Sequence, residues 1–512
     1  MEFKRVTEIL DKAAKDVPEK IGFVDQFGQM TYQEMRDASI KVARAILKAF
    51  NEDPADLQDK EPLPAATLIE AGNDIAAVMH GILYAGDYYS VIDETMPNER
   101  IEKIFDNLKP RLVIANKKTE EKARSLNFDG KILVYEDIIA EDKDDMEIPK
   151  IVCEEVSTKL ASITFTSGST GNPKGVMTGH NGIIYPSIAN RDDVEIIFTD
   201  HVGNQSPMYY VMGVLNLFFS IAAEATCYFM PKWLFSQPAE LVKYMVENQI
   251  SIIDWVASAV TVISRFSAWE GYEEELNKYL RTVTFAGDVA STKLINKMKK
   301  VIPDPKYRQG YGATEFYYTF LYHMTRDIAD DERVPLGYPA EFVTAYIIKD
   351  DGTAAKEGEE GELCLAGPGM AIGYLNDDAS TEEKFQDNPL KPGERIYCTG
   401  DIVKKNEYGE IIFLSRKDFM IKHMGHRVEL GEIELAASSL DDQMQCACIF
   451  DKEKEHIIMV YVGRLSEKEL KEKLKEKVQH HMVPNRFIKL ENLPLNQNNK
   501  VDRKKLKETY IG

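Results

Sequence analysis

Thr166-Ser167-Gly168-Ser169-Thr170-Gly171-Asn172-Pro173-Lys174-Gly175 packs three glycines, four hydroxyls and one ammonium into ten residues. Glycine lets backbone N–H groups turn toward oxyanions, the hydroxyls donate further hydrogen bonds, and Lys174 adds a point charge. The stretch therefore reads as a mobile phosphate-binding loop able to hold a triphosphate. It is not a Walker A loop. Lys174 follows Pro173 and precedes Gly175, so the hydroxyl that would sit on magnesium in a P-loop NTPase is missing. Alone, such a run reads first as a flexible surface turn, and the decision falls to the rest of the chain.

Composition narrows the field. At 512 residues the chain is too long for one core. Its 63 Lys and Arg against 84 Asp and Glu give a net charge of −21, which disfavours nucleic acid or an anionic membrane as partner. The six cysteines are scattered and suggest neither a disulfide framework nor a zinc site, as expected in a reducing cytoplasm. Met1 to Arg5 lack the apolar core of a signal peptide. Met208 to Ala223 are almost wholly apolar, but the run is short, lacks flanking basic residues and sits in soluble patterning, so it reads as a buried helix rather than a membrane span.

Apolar β-rich runs (Leu160 to Phe165, Ile250 to Val256, Thr282 to Phe285) alternate with helical stretches (Pro238 to Asn248, Ser291 to Lys300), an α/β pattern with buried strands. Glycines at 352, 358 and 361 punctuate a shorter-stranded region from Val343 to Leu414, which suits a distorted β-barrel. From Lys417 the chain becomes strongly charged.

Further motifs stand in a fixed order: Tyr311-Gly312-Ala313-Thr314-Glu315, Tyr397-Cys398-Thr399-Gly400-Asp401, Ser415-Arg416-Lys417-Asp418 and Asn499-Lys500-Val501-Asp502-Arg503. Met30 to Met35, Gly86 to Asp93, Gly361-Glu362-Leu363 and Gly373-Tyr374-Leu375 add to them. Over almost the whole chain these resemble the adenylate-forming superfamily of acyl-CoA ligases, luciferases and nonribosomal peptide adenylation domains. The resemblance implies a large N-terminal domain, residues 1–416, of stacked sheets with helices plus the distorted barrel. A small mobile α+β domain, residues 417–512, would follow a hinge near Asp418.

It also implies ATP and Mg²⁺. Attack by a carboxylate on the α-phosphorus brings two anions together and expels pyrophosphate, so charge must be neutralised and the reactants held in line. Thr166, Ser167, Gly168, Ser169, Thr170, Gly171 and Lys174 would hold the phosphates. Glu315 is the expected Mg²⁺ carboxylate, and Thr314 the partner of an α-phosphate oxygen. Tyr311 would pack against adenine within Gly310, Gly312 and Ala313, and the Gln309 amide would pair with the base edge. Asp401 can accept from both ribose hydroxyls, with Arg416 supporting the same sugar. Lys500 would bridge the substrate carboxylate and the α-phosphate. Asn499 replaces the glycine usual before this lysine, a substitution that Asn's tolerance of positive φ allows.

A second conformation is implied, in which rotation at Asp418 withdraws Lys500 and brings in Lys422-His423-Met424-Gly425, with Gly425 leaving room for a pantetheine arm. The Lys-Val-Asp-Arg ending and Gly431-Glu432-Ile433-Glu434 are more similar to peptide-synthetase and D-alanine carrier-protein ligases than to CoA ligases. A separate phosphopantetheinylated carrier protein is thus the expected acceptor, since the sequence stops a dozen residues after Lys500. CoA is the alternative, and a non-catalytic nucleotide-binding protein a further one, opposed by retention of Glu315, Asp401 and Lys500.

The acid itself is read at Tyr210, Val211, Met212, Leu215, Thr284, Ala286, Gly287, Gly310, Tyr318 and Thr319, an uncharged set by the same resemblance. Amino-acid-activating members carry Asp where Val211 stands. A buried ammonium without a counter-charge costs several kcal/mol, so a neutral or aryl acid lacking an α-ammonium is expected. An amino acid such as D-alanine remains the alternative, with Asp254 or Asp288 as substitute counter-charges.

Overall fold

The structure is a computed structural model and describes residues 3–58, 60–141, 159–167, 173–287, 291–330, 332–417, 420–423, 426–441, 443–452, 454–478, 480–496 and 500–511. Two large sheets, each mostly parallel, dominate the N-terminal part. Among the described residues one has nine strands, in spatial order Tyr338–Pro339, Phe316–His323, Lys306–Ala313, Thr282–Ala286, Ile252–Val256, His201–Asn204, Thr226–Phe229, Ile21–Val24 and Gln29–Thr31. The other has seven, running from Gly373–Tyr374 through Pro173–Gly179, Leu160–Ser167, Tyr88–Val91, Pro64–Leu68 and Leu112–Ala115 to Lys131–Val134.

One apolar core joins the two sheets through the helices Thr7–Asp16, Tyr32–Phe50, Asn73–Tyr84, His180–Asp193 and Val211–Ala222. The apolar run from Met208 is that last helix, with Met212 to Ile221 buried, and among the described residues no helix is long and apolar enough to cross a membrane. The motif at Met30 to Met35 has a local cause. Thr31 accepts from the Glu34 N–H at 3.1 Å and the Glu34 carboxylate accepts from the Thr31 N–H at 2.8 Å, a capping box that starts the helix Tyr32–Phe50. Asp87, in another quoted motif, is buried against Lys60 and Arg111, an ion-pair cluster that fixes a strand start.

The region from Val343 to Leu414 forms a curled antiparallel sheet of Thr344–Ile348, Glu360–Ala366, Arg395–Lys405, Phe385–Asp387 and Ile411–Arg416. It is a half-barrel, in keeping with the distorted barrel expected. Here two of the cysteines that look scattered in sequence meet: Cys364 and Cys398 stand opposite each other, both free, with Sγ atoms 3.2 Å apart. After it come the hairpin Met420–His423 with His426–Glu429 and a three-stranded sheet, Gln445–Asp451, His456–Val462 and Arg486–Lys489. The charged stretch from Glu467 is a helix to Lys475 that turns only Leu470 and Leu474 inward.

Candidate active site

The edge hairpin of the nine-stranded sheet presents the Tyr-Gly-Ala-Thr-Glu motif. Lys306–Ala313 pairs antiparallel with Phe316–His323, and the register shifts between Tyr311 and Ala313. Gly312 is required at that irregularity, because a Cβ there would lie 2.5 Å from the Tyr318 backbone nitrogen. Thr314 and Glu315 occupy the turn. The Glu315 carboxylate accepts from the Tyr374 hydroxyl at 2.6 Å, and its carbonyl from the Ala371 N–H at 2.8 Å.

The long strand Arg395–Lys405 delivers Asp401 to this hairpin. Asp401 accepts from Arg416 Nη1 at 2.8 Å and from the Tyr311 hydroxyl, and its own N–H donates to Thr399 Oγ1 at 3.0 Å. Burial and the Asp401 charge together push the Tyr311 phenol well above its ordinary value, so it stays a donor. Burial works to lower the Arg416 pKa, but Asp401 more than offsets it and the guanidinium remains charged. Tyr311 was expected only to pack against a base; its hydroxyl also orients Asp401. A carboxylate offers about four lone-pair sites, so Asp401 keeps acceptor capacity for two hydroxyls. Gln309 is buried, and its Oε1 has no partner among the described residues, an acceptor suited to the exocyclic amine of adenine.

The glycine-rich stretch is described at its two ends, on antiparallel strands. Thr166 and Ser167 end the strand Leu160–Ser167, paired with Lys174 and Pro173. Gly168, Ser169, Thr170 and Gly171 lie outside the described residues, as do Asp288, Asp418, Met424, Gly425 and Asn499. The Lys174 ammonium reaches Ser380 Oγ at 2.6 Å and Asp377 Oδ2 at 3.5 Å, and lies 5.3 Å from the Tyr374 ring centre. Sequence reasoning missed these anchors on the helix Asp378–Lys384, although Tyr374 sits in a quoted motif. Among the described residues no three His, Cys, Asp or Glu side chains converge as a metal site. Mg²⁺ fits here only as Glu315 together with phosphate oxygens, a usual arrangement for this ion.

Lys500 precedes Val501, which bridges to Leu495; the Lys500 N–H donates to Asn496 Oδ1 at 3.1 Å and the Lys500 carbonyl accepts from Asn496 N–H at 2.7 Å. Lys422 stands opposite Arg427 in the hairpin that follows residue 420.

The residues expected to line the acid pocket come from one helix and three strands or stand immediately beside them. Tyr210 caps the helix beginning at Val211, which carries Met212 and Leu215. Gly287 has φ +82°, and a Cβ on it would lie 3.6 Å from the Tyr210 hydroxyl and 3.7 Å from Val256 Cγ1. A Cβ on Gly310 would lie 3.3 Å from Ala286 Cβ and 3.7 Å from Thr284 Cγ2, so these positions share one wall. Tyr318 reaches Asp193 Oδ2 at 3.4 Å, and Thr319 Oγ1 donates to the Tyr311 carbonyl at 3.2 Å. Asp254 stands opposite Thr284 in the adjacent strand and is buried, touching Asn190 Nδ2 at 3.5 Å. Burial pushes its carboxyl up to about 7, and the Asn190 contact offsets only part of this.

Comparison with known proteins decides the family. The model for AMP-binding enzymes matches residues 10–375. The chain belongs to the AMP-binding enzyme family. Its class is thereby that of an ATP-dependent, AMP-forming ligase, as the motifs indicated. Tyrocidine synthase 1 of Brevibacillus parabrevis is 28% identical over 99% of this chain and 45% of that protein. The chain thus spans less than half the length of the curated relatives it matches. Two solved structures share the fold. Klebsiella oxytoca NpsA in complex with 3-hydroxyanthranilyl-AMSN has a TM-score of 0.84 at 20% identity, covering 100% of both chains. The anthranilate CoA ligase AuaEII in complex with anthranoyl-AMP has a TM-score of 0.84 at 18% identity, covering 99% of this chain and 97% of that one.

Proposed function

We propose that this protein activates a carboxylic acid lacking an α-ammonium to its acyl-adenylate and passes the acyl group to the phosphopantetheine thiol of a carrier protein. The observation that carries the first half is the convergence of Gln309, Tyr311, Asp401 and Arg416. It offers an acceptor for adenine and a carboxylate fixed for ribose hydroxyls.

A carboxylate oxygen of the acid attacks the α-phosphorus, the bond to the β-phosphate breaks, and pyrophosphate leaves with the electron pair. Lys500 supplies positive charge between the two reacting anions, where it gains most in the transition state. Mg²⁺, held by Glu315, would neutralise phosphate charge when bound. Thr314, Thr166, Ser167 and Lys174 donate to phosphate oxygens.

In the second half the thiolate sulfur attacks the acyl carbon, AMP departs, and the thiol proton is released. This step is assigned to the segment Lys422 to Gly425, after residues 417–512 turn as a unit at Asp418. Motif similarity favours a carrier protein; the likeness to an anthranilate CoA ligase keeps CoA as the second reading. The test supplies ATP, an acid panel and hydroxylamine, then separately CoA and a pantetheine-loaded carrier protein. AMP, pyrophosphate and a hydroxamate are expected, with thioester on the carrier; ADP in place of AMP would contradict adenylation, and thioester only on CoA would replace the acceptor.

A further inference from the structure

The polar atoms at the floor of the acid pocket do not satisfy one another. Thr284 Oγ1, Asn190 Oδ1 and Asn216 Oδ1 are buried without a hydrogen-bond partner among the described residues. The carboxylate of Asp254, a residue 2% exposed, receives one long contact among the described residues, from Asn190 Nδ2 at 3.5 Å. Buried polar groups are nearly always paired, and a buried carboxylate with so little compensation is unfavourable unless a ligand brings the missing donors.

These groups adjoin one another. Asp254 and Thr284 are directly paired across the parallel strands Ile252–Val256 and Thr282–Ala286, and thus project from the same face. In the next strand Arg308 stands opposite Thr284, its guanidinium donating to the Val194 carbonyl, Thr282 Oγ1 and the Glu195 carboxylate, and Gly310, two residues on, leaves out the side chain that would fill the volume beside Thr284 and Ala286. Tyr318 adjoins from the following strand, with Asp254 among the charges that raise its phenol. An ammonium carries three N–H donors, and here stand three acceptors with unmet capacity: the Asp254 carboxylate, Thr284 Oγ1 and Asn190 Oδ1. Depth fixes where that ammonium sits on the substrate. Val256, two residues beyond Asp254, borders the Gly287 and Tyr210 level at the start of the helix carrying Val211. At about 3.3 Å per residue, Asp254 lies about 7 Å farther along the strand, several bonds from an α-carbon held at that level.

We propose that Asp254 determines specificity by receiving a protonated amine several bonds from the reacting carboxylate, so that the acid is an aminoalkanoate with a distal amine. The proposal rests on the adenylation reading above. It replaces the expectation of a neutral acid and keeps the absence of an α-ammonium.

The test measures kcat/KM for pyrophosphate release with pentanoate, norvaline, 3-aminopropanoate, 4-aminobutanoate and 5-aminopentanoate. One of the three distal amines should exceed both pentanoate and norvaline by at least about tenfold. Asp254→Asn should lower kcat/KM for that amine about 100-fold more than for pentanoate, the scale of a lost buried charge pair. If the variant does not fold, the unmodified ladder decides alone. Pentanoate or norvaline as the best substrate, or an equal loss on all acids in Asp254→Asn, would overturn the proposal while leaving adenylation intact. No pyrophosphate release with any acid would overturn adenylation and the proposal together.

Discussion

The nucleotide edge and the floor of the acid pocket treat their carboxylates in opposite ways. At the edge, Asp401 already holds Arg416 and Tyr311, and Glu315 already holds Tyr374. At the floor, Asp254 has one weak contact, and the Thr284 hydroxyl beside it has none. A site for an invariant reactant can be fixed in advance, because its geometry never changes and preorganised charge costs no rearrangement at the moment of reaction. A selective site gains from groups that only the correct ligand completes, since the wrong ligand leaves them buried and unpaired.

Lys500→Ala should lower adenylation about 10²- to 10³-fold, the usual effect of removing one group that meets transition-state charge. Thioester formation from preformed acyl-adenylate should stay near its original rate in single-turnover assays. Equal loss in both half-reactions would remove the assignment of Lys500 to one conformation.

Asp401→Ala should raise the KM for ATP about 10- to 100-fold with a smaller change in kcat, as expected for lost hydrogen bonds to a charged group. A variant with unchanged ATP affinity would show that the preformed edge is structural only. Tyr374→Phe frees Glu315 and should raise the Mg²⁺ concentration for half-maximal activity about tenfold, the lower end for losing a group that orients a ligand. Unchanged metal dependence would separate Glu315 from the ion.

The smallest effect is on stability. Asp254 sits near 7 in the folded protein against 3.8 for an ordinary Asp, because burial disfavours its charge. The folded state therefore holds a proton that the unfolded state has lost above about pH 4, so this group's contribution is most favourable below that pH and declines as pH rises through 7. The Tm of the unliganded protein should fall between pH 5 and pH 8 by more than that of Asp254→Asn. Neighbouring Asn190 and Thr284 do not titrate, and Asp193 near Tyr318, itself raised by burial, is common to both proteins. Parallel Tm profiles would mean that Asp254 is not buried as described.

Much of the edge was legible in the sequence because its residues sit in short contiguous motifs with glycine at places where the backbone leaves no room for a side chain, as at Gly312. The alternating strands and helices and the curled sheet after Val343 followed from patterning for the same local reason. The floor was not legible in this way. Asp254, Thr284 and Asn190 are far apart in the chain and meet only through strand register and helix packing. Sequence reasoning could name Asp254 only as a counter-charge for an α-ammonium, because depth in a strand has no signature of its own. The anchoring of Lys174 by Asp377 and Ser380, and the meeting of Cys364 with Cys398, depended likewise on contacts between distant segments.

The central claim is that a substrate carboxylate attacks the α-phosphorus of ATP at the edge built by Tyr311, Glu315 and Asp401. It is tested most directly with an acid labelled with ¹⁸O in both carboxylate oxygens, followed by mass analysis of the nucleotide product after transfer to a thiol. One ¹⁸O atom in the phosphate of AMP is the predicted result. Label in inorganic phosphate with ADP as the nucleotide product would mean attack at the γ-phosphorus and would contradict the account.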